Sequence, residues 1–290
     1  MAKKKVFKIS DEEIKRMYLE GNSLNDIAKV AQDTKGLMAL RQRLIDLDVN
    51  TKVSQKKYRY KISKCSRKYT FNEYYFNVID DEHKAYWLGF LMADGYNHES
   101  KNCVAIRLQL EDKEILEKFK KELNYTGPIY EFHRITAANK LNRSYCELCL
   151  CSPIFSKSLS NIGCIQGKTY LLQFPNLRTD LIQHFIRGYF DGDGCLSITP
   201  RRNRTPTSKC YQFNITGKVE VIQVIQNYLC NACQITKTTI AGSSKDFAKR
   251  IHWAGKNVVT KIMNYLYQNS TIYLKRKHDK YLELIGNSAE

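Results

Sequence analysis

From residue 71 onward, the spacing of apolar positions changes in a set order, and that order occurs twice. The first pass opens on an apolar helical run, Trp87-Leu-Gly-Phe-Leu-Met-Ala-Asp-Gly95. A short stretch near Tyr96 follows, too brief to be read as a strand alone. Residues 103–110 then alternate, with Val104, Ile106, Leu108 and Leu110 against Cys103, Ala105, Arg107 and Gln109, the period of a half-buried strand. Residues 111–123 return to helical spacing through Ile115, Leu116 and Phe119. Strands are expected over 129–135 and 144–151, and a helix over 153–162. The second pass opens on Ile186-Arg-Gly-Tyr-Phe-Asp-Gly-Asp-Gly194. It continues with a strand carrying Leu196 and Ile198 inward, then 211–216, where Tyr211, Phe213 and Ile215 alternate with Gln212, Asn214 and Thr216. A helix over 219–229, strands near 236–240 and 248–253, and a helix over 256–267 complete it. Each half reads α-β-β-α-β-β-α, with strands half polar as in antiparallel sheets open on one face.

The two opening helices share a second pattern. Each carries a small residue every fourth place, Gly89 and Ala93 in one, Gly188 and Gly192 in the other. Residues four apart lie on one helix face, so each helix presents a nearly side-chain-free stripe on which the two backbones can approach closely. Each run ends in Asp-Gly, which brings Asp94 and Asp193 together at the helix ends. Two like charges, each at the negative end of a helix dipole, repel. A divalent cation offsets that repulsion, because hard cations prefer carboxylate oxygen.

The N-terminal pattern differs. Residues 9–49 read as three short helices: Ser10 caps the first through Glu13, with Ile14, Met17 and Tyr18 inward. Gly21-Asn22 ends it, the second carries Leu24, Ile27 and Ala28, and the third carries Leu37, Leu40, Leu44 and Leu47. This arrangement resembles a helix-turn-helix of the resolvase type. The last helix of such a module enters the major groove, which nominates Lys35, Arg41, Gln42 and Arg43. Three packed helices that touch no DNA are the alternative. Residues 51–68 carry Lys52, Lys56, Lys57, Arg59, Lys61, Lys64, Arg67 and Lys68, and no acid. With Tyr58 and Tyr60 interleaved, they read as a tether along phosphates, in which Lys56, Lys57, Arg59 and Lys61 are the candidate contacts. The expected organisation is 1–50 helical module, 51–70 basic linker, 71–168 first half and 169–290 second half.

Charge and composition narrow the function. Across 290 residues the net charge is +18, which points to a polyanionic partner, most simply nucleic acid. Hydrophobic residues at 43% argue for a packed protein and against disorder. No apolar run reaches membrane-spanning length. The start, Met1-Ala-Lys-Lys-Lys, lacks the apolar core of a secretory signal, so a reducing intracellular setting is expected. Of the ten cysteines, Cys146 and Cys149, and Cys230 and Cys233, have CxxC spacing. Strand alternation puts Cys146 and Cys149 on opposite faces, so no structural zinc is expected and the thiols read as reduced packing residues.

The two motif copies resemble the LAGLIDADG motif, and the repeated element order is similar to that family's fold. Lys84-Ala-Tyr-Trp-Leu-Gly-Phe90, His184-Phe-Ile-Arg-Gly-Tyr-Phe-Asp-Gly-Asp-Gly194 and the closing Ile272-Tyr-Leu-Lys-Arg-Lys277 agree with it. The resemblance covers roughly residues 71–285 and is nearest to bacterial and phage single-chain homing endonucleases, some of which carry an added helix-turn-helix. The fold implied is α+β: a pseudo-twofold duplication with two four-stranded, DNA-facing antiparallel saddles, beside a small all-α module. The resemblance implies a site-specific double-strand DNA endonuclease that hydrolyses phosphodiester bonds with two or three Mg²⁺ ions shared by Asp94 and Asp193. The carbonyls of Gly95 and Gly194 are further implied ligands. Lys168 and Lys277 match the family's water-organising lysines, with Lys275 a rival to Lys277. Arg107, Gln109, Ser197, Thr199, Arg201, Gln212, Asn214, Thr216, Arg250 and His252 become the candidate DNA readers, the rival reading being a solvated sheet face. The copies differ: Met92 stands where the second copy has Asp191, and Leu88 where it has Arg187. Diverged halves in one chain suit a monomer on a long asymmetric duplex site. A non-catalytic DNA-binding regulator on the same fold and an RNA-splicing maturase are the alternatives.

Overall fold

A computed structural model describes residues 8–20, 22, 24–31, 37–47, 68–134, 143–165, 172–200, 208–242 and 248–286. Lys35, Lys56, Lys57, Arg59, Lys61, Lys168 and Arg201 lie outside the described residues. The chain divides into two compact units, Met1–Lys68 and Tyr69–Glu290.

In the first unit, α1 (Asp11–Leu19), α2 (Leu24–Val30) and α3 (Leu37–Asp46) pack around Ile14, Tyr18, Ile27, Ala28, Ala31, Leu40 and Leu44. The Ser10 hydroxyl accepts the Glu13 N–H at 3.2 Å, satisfying one orphan donor of the α1 N-terminus. Arg43 of α3 forms an ion pair with Asp11 of α1, its Nε donating at 2.8 Å, and so staples the two helices together.

The second unit is built on two long helices, α4 (Glu82–Ala93) and α7 (Thr179–Asp193), packed along each other. From the end of α4 the chain runs into β1 (Gly95–His98) and β2 (Cys103–Gln109), then α5 (Lys113–Glu122), β3 (Tyr130–Arg134), β4 (Arg143–Cys151) and α6 (Pro153–Asn161). From the end of α7 it runs into β5 (Gly194–Pro200) and β6 (Lys209–Lys218), then α8 (Val219–Cys233), β7 (Ala248–Ala254), α9 (Lys256–Tyr267) and α10 (Lys275–Gly286). The stretch near Tyr96 is therefore a strand, because β2 supplies the ladder partner that four residues alone cannot. One sheet has the order β1-β2-β4-β3, the other β5-β6-β7, and all pairings are antiparallel. This is a mixed α+β architecture.

The second sheet corrects one expectation. Residues 236–240 form no strand among the described residues; a single bridge joins Ala241 to Arg250. Side chains take the carbonyls a ladder would use: Gln226 Nε2 donates to Thr238 O at 2.7 Å and Trp253 Nε1 to Thr236 O at 2.9 Å. Those two carbonyls therefore need no ladder partner. No helix among the described residues is long and apolar enough to cross a membrane.

Candidate functional site

The close approach of α4 and α7 follows from the small residues. A Cβ placed on Gly89 would lie 2.8 Å from Tyr189 N, and one on Gly188 would lie 2.8 Å from the carbonyl carbon of Tyr86. These are backbone atoms that cannot rotate away. At the far end, a Cβ on Gly192 would come within 3.3 Å of Asp94 N and 3.5 Å of Asp94 Cγ, so the Asp94 carboxyl lies against the residue preceding Asp193. Asp94 caps α4, its N–H donating to Phe90 O, and Asp193 is the last residue of α7. Both are exposed, whereas Leu91, Met92, Ala93, Phe190 and Asp191 behind them on the two helices are buried. Gly95 and Gly194 turn each chain directly into a sheet. A Cβ on either would come within 2.6 Å of the carbonyl oxygen four residues back, Leu91 or Phe190.

Behind these exposed carboxylates lies a buried polar network. Asp191, fully buried, accepts hydrogen bonds from Tyr86 Oη of α4 at 2.8 Å, from Tyr267 Oη, and from Leu274 N at 2.7 Å. Burial pushes its carboxyl up, against the opposing pull of Lys277 and these donors. Arg187, also fully buried, donates to Ile272 O, Leu266 O and Glu82. Burial works against the charge of Glu82, but the Thr271 N–H, Arg187 and His184 outweigh it and hold the carboxyl below its ordinary range. Asp191 and Arg187 therefore bolt the second-half helix to the first half and to the closing segment. Met92 is buried, and as an apolar residue it asks for no such partners.

Lys277 differs from its expected placement. It is buried, and its ammonium donates to three carbonyls: Phe190 at 2.5 Å, Asp191 at 2.7 Å and Gly194 at 2.7 Å. An ammonium has three protons, and here each has a backbone acceptor. Lys277 thus caps the C-terminal end of α7 instead of presenting donors to water. The Gly194 carbonyl, an expected metal ligand, already accepts one of those protons. Burial lowers the Lys277 ammonium to about 8, despite the countering charges of Asp191 and Asp94. Lys275 points elsewhere, pairing with Asp279 at 2.8 Å.

The open sheet faces are unlike one another. On the second sheet, Ser197, Thr199, Gln212, Asn214, Thr216, Arg250 and His252 stand exposed or half-buried opposite the core residues Leu196, Tyr211, Phe213, Ile215, Ile251 and Trp253. The register sets Asn214 beside His252 and Thr216 beside Arg250. On the first sheet Gln109 is exposed, but Arg107 is partnered: its Nε donates to Glu147 at 2.7 Å, and its guanidinium lies 4.8 Å from the Tyr145 ring centroid. That face also carries Tyr96, Tyr130 and Phe132, with Phe132 stacked on Tyr145, and the thiols of Cys103, Cys149 and Cys151. Apart from the CxxC spacing of Cys149 with Cys146, none of these stands out in the sequence as functional. The strand period held the signal, since Cys103 shares its parity with Arg107, and Cys149 and Cys151 share theirs with Tyr145. In the helical module, Arg41 is exposed and Gln42 donates to Asp46 at 3.0 Å. Arg43 is engaged with Asp11.

No protein-family model and no curated protein matches the chain. Among solved structures it is similar to the LAGLIDADG homing endonuclease I-LtrWI bound to target DNA, at 12% identity over 76% of this chain and 92% of that one, with a TM-score of 0.46. It is similar to I-SmaMI bound to cleaved DNA, at 13% identity over 72% and 88%, with a TM-score of 0.46. The LAGLIDADG meganuclease I-AabMI bound to uncleaved DNA gives 13% identity over 72% and 91%, with a TM-score of 0.45. At such values the functional reading rests on the chain's own residues.

Proposed function

We propose that this protein is a metal-dependent, site-specific DNA endonuclease of the homing type, acting as a monomer on a long asymmetric duplex site. The observation that carries the reading is the pair of exposed carboxylates, Asp94 and Asp193, held at the abutting ends of two helices whose backbones meet on glycine. A stability role does not account for two like charges placed at the negative ends of helix dipoles. The donor set, two carboxylates at the helix ends, suits a hard divalent cation. Asp94 and Asp193 would hold it, and when bound it supplies Lewis-acid stabilisation of charge on a scissile phosphate. Asp191, Arg187 and Lys277 act as positioning residues, fixing the turn from α7 into β5 and hence the direction of the Asp193 carboxylate. The sheets that begin at Gly95 and Gly194 would offer their open faces to the duplex. There Gln212, Asn214, Thr216, Arg250 and His252 have the donors and acceptors that read base edges and phosphates. The net charge of +18 supplies the sequence-independent part of binding. Because one chain provides both acids, no second copy is needed to complete the site.

The test incubates the protein, Asp94→Asn and Asp193→Asn with a randomised duplex library and with DNA of the source organism, in Mg²⁺ or in EDTA. Cleavage at a recurring sequence with Mg²⁺, lost in EDTA and in both variants while binding persists, is the expected result. Cleavage that survives in EDTA or in both variants sinks the mechanism. Binding without cleavage of any DNA would make the protein a regulator, and selective RNA binding with intron splicing would make it a maturase.

A further inference from the structure

On the open face of the first sheet the antiparallel register gathers three thiols from two strands. Cys103 of β2 stands directly opposite Cys151 of β4, and Ala105 opposite Cys149, so Cys149 is the diagonal neighbour of Cys103. Their sulfurs all lie within 4.8 Å of one another, and Cys103 Sγ is 2.9 Å from Cys149 Sγ. None of the three is in a disulfide, whose sulfurs would stand about 2.05 Å apart. Cys103 and Cys149 are half-buried and Cys151 is exposed, so the triangle opens to solvent on one side. Hydrogen bonds to Cys149 and then Cys151, more than burial, push the Cys103 thiol up. The bond from Cys103 favours a thiolate at Cys149, but Cys151 and burial outweigh it and push that thiol up to about 11. It is the geometry, three sulfurs within 4.8 Å of one another and open to solvent on one side, that suits a single cation.

We propose that Cys103, Cys149 and Cys151 form a binding site for a single thiophilic cation of the zinc type, separate from the acids at the helix ends. Zinc binds thiolate at about 2.3 Å, which places tetrahedral ligand sulfurs about 3.8 Å apart. The Cys103–Cys149 edge, at 2.9 Å, would open by about 1 Å, and the other edges, within 4.8 Å, would adjust by side-chain rotation. Three Zn–S bonds form, three thiol protons leave to solvent, and nothing is oxidised or reduced. His98 stands opposite Cys103 in the register, on the same open face, but its Nδ1 lies 3.1 Å from Ser100 Oγ, so the fourth position is assigned to solvent water. The ion would tie the start of β2 to the end of β4, immediately before the N-terminus of α6, and so clamp the outer end of this face.

The experiment uses the full chain, freed of metal and kept reduced with a phosphine. Zinc chloride is titrated with metal analysis after gel filtration, and Co²⁺ is substituted to read the thiolate charge-transfer absorption. One ion per chain is expected, with iodoacetamide labelling suppressed at Cys103, Cys149 and Cys151 and unchanged at Cys195 and Cys210. Cys103→Ser, Cys149→Ser and Cys151→Ser should each weaken uptake tenfold or more, whereas Cys195→Ser and the Asp94→Asn/Asp193→Asn double variant should leave it intact. Absent uptake, uptake unchanged in Cys149→Ser, or protection of other cysteines instead overturns the proposal. The labelling pattern of the unmutated chain decides the matter should the serine variants fail to fold. Because uptake is read without DNA, its failure is distinguishable from failure of the nuclease reading.

Discussion

Gly188→Ala adds one methyl group where α4 and α7 meet, and the structure gives the size of the misfit. The new Cβ would lie 2.8 Å from the carbonyl carbon of Tyr86 and 3.0 Å from Phe90 N, against an ordinary contact of 3.4–4 Å. Both neighbours are helix backbone, so relief requires α4 and α7 to part along their length, taking the Tyr86–Asp191 and Glu82–Arg187 hydrogen bonds with them. Overpacking of this kind costs about 1–3 kcal/mol, and rigid backbone on both sides puts this case at the upper end. Alanine in place of glycine in a helix returns about 1 kcal/mol. The net loss is therefore about 2 kcal/mol, or about 4–8 °C in Tm for a unit of this size. The assay is a thermal melt by circular dichroism beside Gly286→Ala, where an added Cβ meets nothing within 4 Å. Gly286→Ala should melt at or slightly above the parent temperature. A Gly188→Ala protein that melts with the parent would refute the argument that the glycines exist for backbone contact.

Other expected outcomes follow from the same geometry. Asp191→Asn removes the charge facing buried Lys277 and presents an amide to three donors, so it should cost about 3 kcal/mol or more by chemical denaturation. A variant as stable as the parent would remove Asp191 from the positioning role. Glu82 is held below its ordinary value of 4.5, so its contribution to stability is fully present above that value and lost as pH falls through the lower folded value. Denaturation curves of Glu82→Gln should accordingly be less steep in pH below about 4.5, with parallel curves counting against the Arg187–Glu82 bond. Lys277→Met leaves three carbonyls at the end of α7 without their donor, and should lower stability by about 3 kcal/mol. If Lys277 organised water instead, Lys277→Met would cut turnover and leave the melt unchanged.

Much of this architecture was legible in the apolar period. The alternation over 103–110 and 211–216 marks β2 and β6, and the helical spacing of 256–267 marks α9 with its observed ends. The small residues at Gly89, Gly188 and Gly192 mark a helix contact because only the lack of a side chain explains glycine at that repeat. The ending Asp-Gly then places two acids at one junction. These are local properties, carried by residues within one turn or one pleat of each other. What the period could not carry is which strand lies beside which, and which side chain fills a distant acceptor. Residues 236–240 look strand-like, yet the Thr236 and Thr238 carbonyls are taken by Trp253 and Gln226. Lys277 reads as one basic residue in a basic run, and only packing against α7 turns it into a buried cap. CxxC spacing directed attention to Cys146 and Cys149, which face opposite ways. Pairing β2 with β4 set Cys103 against Cys149 and Cys151 instead. The sequence by itself determined most of the elements and the glycine contact, and placed an acid at the end of each motif helix. The tertiary structure alone decided the partners of each polar group, because those partners come from elsewhere in the chain and only folding brings them within hydrogen-bonding distance.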